Sequence, residues 1–98
     1  MTNDLTEDRF TSVWDALEDS SAEAANMKAR ATLMRALQEA VASWKMTQAE
    51  SAKKLGVTQP RMNDLLRGRI DKFSLDALML LASSAGLKIE WRVVPNAA

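Results

Sequence analysis

The chain has 98 residues, enough for one compact domain with a short extension, and 47% of them are apolar, enough for a hydrophobic core. It contains no cysteine and no histidine, so disulfide bonds, thiolate or imidazole metal sites and the usual general base of catalysis are excluded. The net charge is zero, but residues 1–25 carry seven acidic side chains and one basic one, whereas residues 26–98 carry six acidic and twelve basic ones. The sequence therefore predicts an acidic N-terminal arm on a basic body. The two charged regions are either ordinary solvated faces or, as the helix-turn-helix pattern described below favours for the body, a surface that faces phosphates.

No apolar run approaches the roughly 20 residues of a membrane-spanning helix, and the acidic N-terminus is unlike a secretory signal peptide. The lack of cysteine is compatible with a reducing cytoplasm. The chain also has no glycine-rich phosphate loop and no carboxylate cluster with metal-ligand spacing. We therefore expect a protein that is not an enzyme, with no catalytic residue, no metal and no cofactor.

The first predicted element is a short amphipathic helix over residues 9–18. Its apolar residues follow the spacing i, i+3, i+4 and i+7 and are Phe10, Val13, Trp14 and Leu17. A helix of about two and a half turns is unstable alone, so this stripe must dock on another surface. Either the protein's own core or a groove on a partner protein can provide that surface. We favour the partner, because the rest of the chain suffices for a small helical domain.

A long helix is predicted over residues 22–45, with Ser20 and Glu23 as a capping box at its start. The segment contains no glycine or proline and many alanines. Its predicted buried stripe consists of Ala29, Leu33, Leu37, Val41 and Trp44. The methionines in and beside this helix are expected to fill gaps in the core: Met27, Met34 and Met46. The basic residues near its start are expected to form a solvated face: Lys28, Arg30 and Arg35.

The segment Thr47–Gly68 carries the pattern of a helix-turn-helix. Thr47 and Glu50 form a capping box for a first helix, and Gly56 has the position of a left-handed residue that closes it. Thr58 caps a second helix, whose first turn tolerates Pro60. The residues expected to pack inward are Ala52, Val57, Met62, Leu65 and Leu66. Because the turn is short, the helices must cross steeply, so the second helix projects outward.

A further helix is predicted from Leu75 to Ala85, capped by Ser74 and closed by Gly86. The tail, residues 87–94, alternates apolar and polar side chains, which is typical of a β-strand. Its apolar face comprises Leu87, Ile89, Trp91 and Val93. A lone strand leaves its backbone groups unpaired, so we favour antiparallel pairing with the same strand of a second copy. A different protein, or an unrecognised N-terminal strand, is the alternative partner.

In a major groove, the second helix of the pair would turn its N-terminal half to the bases. Gln59 suits adenine N6 and N7, and Arg61 suits guanine O6 and N7. Asp64 either accepts from cytosine N4 or orients Arg61 or Arg67. The Gln48 backbone amide and the basic side chains after the helix suit phosphates. The complete set of predicted DNA-binding residues is Gln48, Thr58, Gln59, Arg61, Asn63, Asp64, Arg67, Arg69 and Lys72.

The chain also resembles a known family. The stretch TQAESAKKLGVTQPRMNDLLRGRIDKFSLDALMLLASSAGLKIEWRV is similar to the Xre/Cro-type helix-turn-helix proteins, and VWDALEDSSAEAANMKARATLMRALQEAV ahead of it is similar to HigA-type antitoxins of HigB–HigA pairs. That subgroup usually has Ser-Pro before the long helix, where this chain has Ser20 and Ser21. The resemblance implies a mainly α, lambda-repressor-like bundle of about five helices with one C-terminal strand. It also implies a cytoplasmic homodimer that binds its own operator and a RelE/HigB-like, mRNA-cleaving toxin.

We therefore expect three parts: an acidic arm with a short amphipathic helix in residues 1–21, a helical DNA-binding domain in residues 22–86, and a dimerisation strand and tail in residues 87–98. The predicted function is that of a DNA-binding antitoxin and autorepressor. The first alternative is a stand-alone phage-type or metabolic repressor without a toxin. The second is a protein-interaction module that kept the fold but does not bind DNA.

Overall fold

The computed structural model describes residues 21–95, which form four α-helices and one 3-10 turn. In chain order these are α1 (Glu23–Trp44), α2 (Gln48–Leu55), α3 (Gln59–Leu66), the 3-10 turn (Ile70–Lys72) and α4 (Leu75–Ser84). The mainly helical fold predicted from the sequence is confirmed. The predicted helix over residues 9–18 and the capping residue Ser20 lie outside the described residues, and α1 begins after Ala22 without a side-chain capping bond.

Helix α1 supplies one side of the core. Met34, Leu37 and Val41 are buried, and Leu33 and Trp44 pack against them in part, which confirms most of the predicted stripe. Two predictions were wrong, however, and both concern methionines. Met27 and Met46 are exposed, because residues 23–28 at the start of α1 are all exposed and because Met46 lies in the connection to α2.

The three shorter helices begin at hydroxyl side chains, as predicted. The Thr47, Thr58 and Ser74 hydroxyls each accept a hydrogen bond from the backbone N–H three residues further on. At Thr47 the capping box is complete, because its own N–H donates to Glu50 Oε1 at 3.0 Å. Each such cap stabilises a helix by about 1 kcal/mol, which matters for helices of eight to ten residues.

Glycines in the left-handed conformation end α2 and α3. Gly56 has φ 76° and Gly68 has φ 73°, values that a side chain with a Cβ rarely adopts. After Gly56, the N–H of Val57 reaches back to the carbonyl oxygen of Ala52 at 2.9 Å and so closes the helix end. Only residues 56–58 separate α2 from α3, which makes the connection as short as the sequence predicted.

The core lies where all four helices meet. Helix α1 packs mainly on α4, and α2 packs mainly on α3. Leu37 of α1, Met62 and Leu65 of α3, and Leu78 of α4 are almost completely buried. Leu66 was predicted to share this inner face, but it is 37% exposed. It is the last residue of α3 and lies at the edge of the buried stripe formed by Met62 and Leu65. Among the described residues, no helix is both long and apolar enough to cross a membrane.

The tail after α4 differs from its prediction. Gly86, at φ 81°, closes α4 as expected, and Leu87 and Ile89 pack against the core. No β-strand is assigned anywhere in residues 21–95. A strand needs a partner to be recognised, and residues 87–95 have none within the described part of this single chain. The strand and its pairing across a dimer therefore stay predictions.

Candidate nucleic-acid interface

Helix α3 has three distinct sides. Its inner side carries Met62 and Leu65, both buried in the core. A second side faces the loop that follows the helix, and Arg61 and Asp64 lie on it. The remaining side carries Gln59 and Asn63, and this outer side is the candidate surface for DNA.

The outer side of α3 is polar along its length. Gln59, Asn63 and Arg67 follow the spacing i, i+4 and i+8, which places them on the same face of a helix. Gln59 and Arg67 are exposed, and Asn63 is half-buried. An amide at the N-terminal end can form a bidentate pair with adenine, and a guanidinium at the other end can contact a phosphate. This surface can therefore perform both direct readout and backbone contact.

The start of α2 lies beside the start of α3. Gln48 Nε2 donates a hydrogen bond to the backbone carbonyl oxygen of Gln59 at 3.4 Å. This contact between the first residues of both helices puts their N-termini, with their partial positive charge, at one place. Thr58, also a predicted contact, is exposed there, although its hydroxyl accepts from the Arg61 N–H at 3.3 Å. An anion is favoured at such a position.

Arg61 does not have the free guanidinium that the sequence prediction assumed. Its Nη1 donates to the carbonyl oxygen of Lys72 at 2.8 Å, and its Cζ lies 4.0 Å from the centre of the Phe73 ring. The side chain is therefore directed along the protein, away from the outer side of α3. Base contact by Arg61 stays a prediction, but it requires the guanidinium to leave both partners.

The loop after α3 carries the basic residues predicted to contact phosphates. Arg67 and Lys72 are exposed. Arg69 is 3.7 Å from the carboxylate of Asp64, which corrects the expectation that Asp64 orients Arg61 or Arg67. This pair is partly exposed and therefore weak, so Arg69 can exchange the carboxylate for a phosphate at little cost. The phosphate contacts themselves remain predictions.

Two residues that position this surface were not recognised in the sequence. Arg30 was expected to be solvated, but its Nη1 donates to the carbonyl oxygens of Ile70 at 3.1 Å and Phe73 at 3.4 Å. Gln38 Nε2 donates to the carbonyl oxygen of Leu65 at 2.9 Å. Both donors belong to α1, so the long helix holds the end of α3 and the loop behind it. Only the spacing of polar residues along α1 could have suggested these contacts, and it gives no direction or partner.

The other predicted sites divide between described and undescribed residues. The predicted partner-binding residues lie outside the described residues: Phe10, Val13, Trp14 and Leu17. Of the predicted dimerisation residues, Leu87 and Ile89 are half-buried against the core, whereas Trp91 and Val93 are exposed. The same chain thus carries a covered and an uncovered half of one apolar face.

Comparison with known proteins gives one family. A family described as a helix-turn-helix domain matches residues 16–94 of the chain, a range that contains all four α-helices of the described structure. A comparison with curated proteins gives no match. The family match agrees with the polar outer side of α3 and the short turn before it.

Proposed function

Because the chain belongs to the helix-turn-helix domain family, we propose that it is a sequence-specific DNA-binding antitoxin that represses its own operon. In this proposal it acts in the cytoplasm as a homodimer, by binding and not by catalysis. Its second partner is a RelE/HigB-like toxin that cleaves mRNA. Helix-turn-helix domains of the Xre/Cro-like type are DNA-binding modules, so the family supports the first part directly. The antitoxin role rests on the resemblance of the segment before α2.

The outer side of α3 carries the DNA-binding part of the proposal. Gln59 stands exposed at the start of that helix, and Gln48 ties the start of α2 to the same place. In the helix-turn-helix docking mode, the N-terminal residues of the second helix contact base edges while the first helix crosses the backbone. Two exposed basic residues that follow α3, Arg67 and Lys72, support phosphate contacts beside it.

Binding to DNA upstream of its own coding sequence tests this part. We expect a specific complex whose affinity falls steeply as salt is raised, because phosphate contacts release counterions. Arg67→Ala should lower specific and non-specific binding alike and flatten the salt dependence by about one unit. Glu39→Gln on the exposed side of α1 is the matched control and should leave both unchanged. If no specific complex forms even at low salt, the chain is a protein-interaction module.

The antitoxin part is supported by the acidic, aromatic arm. Six of the seven charged residues in residues 1–21 are acidic, which suits a basic, RNA-cutting protein, and Trp14 is the largest anchor of the arm's apolar stripe. A small reading frame for a basic RelE-like protein beside this one would favour the antitoxin over a stand-alone repressor. Trp14→Ala should then weaken co-purification with that protein and leave operator binding intact, whereas Ser12→Ala, outside the stripe, should change neither.

The dimer part is supported by the tail. Its alternating pattern gives it an apolar face, and its backbone has no strand partner within the described residues. A twofold dimer would place two copies of α3 on half-sites about 34 Å apart. Deletion of residues 87–94 should yield a monomer by sedimentation and weaken operator binding. An unchanged sedimentation mass would contradict the proposed dimer.

A further inference from the structure

An apolar groove lies between α4 and the tail. It is lined by Met79, Leu80 and Ser83 of α4, by Leu87 and Ile89 of the tail, and by Asp76 at one end. Leu80 is 71% exposed, which is unusual for a leucine beside so many apolar neighbours. The groove is therefore only partly filled by the chain's own tail.

The end of the tail carries exposed apolar side chains. Trp91 is 65% and Val93 is 90% exposed, yet by their spacing both belong to the same face as Leu87 and Ile89. One chain thus has an open apolar groove beside Leu80 and an exposed apolar segment at Trp91 and Val93. In a twofold dimer each copy can supply what the other lacks, because the interface uses the same patch twice.

We infer that the tails of two copies pair antiparallel in one register, with Trp91 on the twofold axis. This inference rests on the dimer of the proposed function and specifies its contacts. In this register Ile89 of one copy is opposite Val93 of the other, and Glu90 is opposite Arg92. Residues 87–95 of both copies then overlap along their whole length.

Charge decides against neighbouring registers. A twofold axis through Glu90 would place it opposite itself, and Lys88 opposite Arg92. Like charges directly opposite each other destabilise a strand pair. An axis through Trp91 instead forms two Glu90–Arg92 pairs. Displacement to an axis between two residues would place apolar side chains opposite polar ones, which the period of two forbids.

Two further registers avoid like charges. An axis through Val93 limits the overlap to residues 91–95 of the described chain, and an axis through Ile89 pairs Lys88 with Glu90. The Ile89 register overlaps only over residues 87–91, however, because Gly86 belongs to the turn that closes α4. It would also leave Val93, the most exposed large apolar residue of the described chain, without a neighbour.

The favoured register also covers the groove. Val93 of the second copy lies beside Ile89, on the face that lines the groove next to Leu80 and Met79. Two symmetry-related grooves are covered at once, so each dimer buries Val93 and Leu80 of both copies. The pairing and the groove therefore share Leu87 and Ile89 of the tail.

Disulfide cross-linking tests the register, because the chain has no cysteine of its own. We expect an equal mixture of Ile89→Cys and Val93→Cys chains to form a covalent heterodimer on mild oxidation, since these positions are directly opposite. Neither variant alone should cross-link with itself, because identical positions are separated by four residues, about 13 Å. Self-linking of Ile89→Cys would overturn the inference in favour of the Ile89 register.

Charge reversal gives a second, independent measurement. Glu90→Arg should weaken dimerisation about tenfold, because it replaces two favourable pairs with two repulsive ones. The double variant Glu90→Arg with Arg92→Glu should restore it. Lys88→Glu is the control and should change dimerisation by less than about threefold, since Lys88 lies opposite Val94 and its own contact with Glu90, at 3.8 Å, is exposed.

The outcomes separate this inference from the proposed function. Failure of the mixed cysteine pair to link, in a chain that sediments as a dimer, would overturn the register alone. A chain that sediments as a monomer at all concentrations would overturn the dimer as well. Specific operator binding, measured separately, would still report on α3. Circular dichroism of each variant establishes that it has folded.

Discussion

The guanidinium of Arg61 covers the ring of Phe73, with its Cζ 4.0 Å from the ring centre, and its Nη1 donates to the Lys72 carbonyl oxygen at 2.8 Å. Phe73 is only 2% exposed and is among the largest buried side chains of the described chain. Arg61 thus joins α3 to the loop behind it. The sequence assigned Arg61 to guanine recognition, but its contacts with Phe73 and Lys72 give it a structural role.

We expect Arg61→Ala to lower the free energy of unfolding by about 2 kcal/mol, because a cation–π contact and a hydrogen bond are both lost. Arg67→Ala, directly after the same helix and exposed, should change it by less than about 0.5 kcal/mol. Urea denaturation measures both. Unchanged stability of Arg61→Ala, combined with a selective loss of specific DNA binding, would instead support the base contact predicted from the sequence.

The sequence predicted the local features of the fold well, because their causes lie within a few residues. Thr47 with Glu50, Thr58, Gly56 and the apolar spacing of α3 act through neighbours along the chain. These signals determine where helices begin and end and which face is buried. They were sufficient to place a helix-turn-helix, and the matched family agrees with it.

Contacts between distant residues were not predictable in the same way. Arg30 contacts Ile70, forty residues away, and a helical pattern cannot distinguish such an arginine from a solvated one. The direction of Arg61 likewise depends on where the loop returns to α3. Leu66 shows the same limit on a smaller scale, since the edge of a buried stripe depends on the neighbouring helix and not on spacing alone.

Gln38 supports a prediction about how α3 is held. Its Nε2 donates to the Leu65 carbonyl oxygen in the last turn of α3, which also accepts from the Gly68 N–H at 3.1 Å. Gln38→Glu removes the donor and places a carboxylate at the negative end of the helix dipole, so unfolding free energy should fall by about 2 kcal/mol. Glu39→Gln, its exposed neighbour, should have little effect. Equal stability of both variants would show that this contact does not hold α3.

Lys45 ends α1 in a conformation that favours glycine. Its φ is 54° and its ψ is 40°, the only non-glycine residue with positive φ in the described chain. We expect Lys45→Gly to raise the midpoint of thermal unfolding by relieving about 1 kcal/mol of strain. Lys45→Ala, which keeps the Cβ, should give no such gain. A lower midpoint for the glycine variant would mean that the lysine stem stabilises this connection.

Ser51 has a buried hydroxyl group that makes no hydrogen bond within the described residues. It is 1% exposed, and its Oγ has no hydrogen-bond partner among the described residues. Ser51→Ala should therefore raise the free energy of unfolding by about 1 kcal/mol, since a desolvated polar group is removed and alanine favours the helix. The comparison is Ser43→Ala, whose exposed Oγ donates to the Ala40 carbonyl oxygen at 2.6 Å. A smaller gain at Ser51 than at Ser43 would indicate that the hydroxyl has a partner in solution.

The proposed DNA recognition depends most on Gln59 facing the bases from the outer side of α3. Selection of binding sites from random DNA, in parallel with wild-type, Gln59→Ala and Glu39→Gln chains, tests this directly. We expect wild-type and Glu39→Gln to select paired half-sites about 34 Å apart, each with an adenine that Gln59→Ala no longer requires, at a loss of about 1–3 kcal/mol in affinity for that site. Selection of the same sequence with the same affinity by Gln59→Ala would contradict base readout by Gln59.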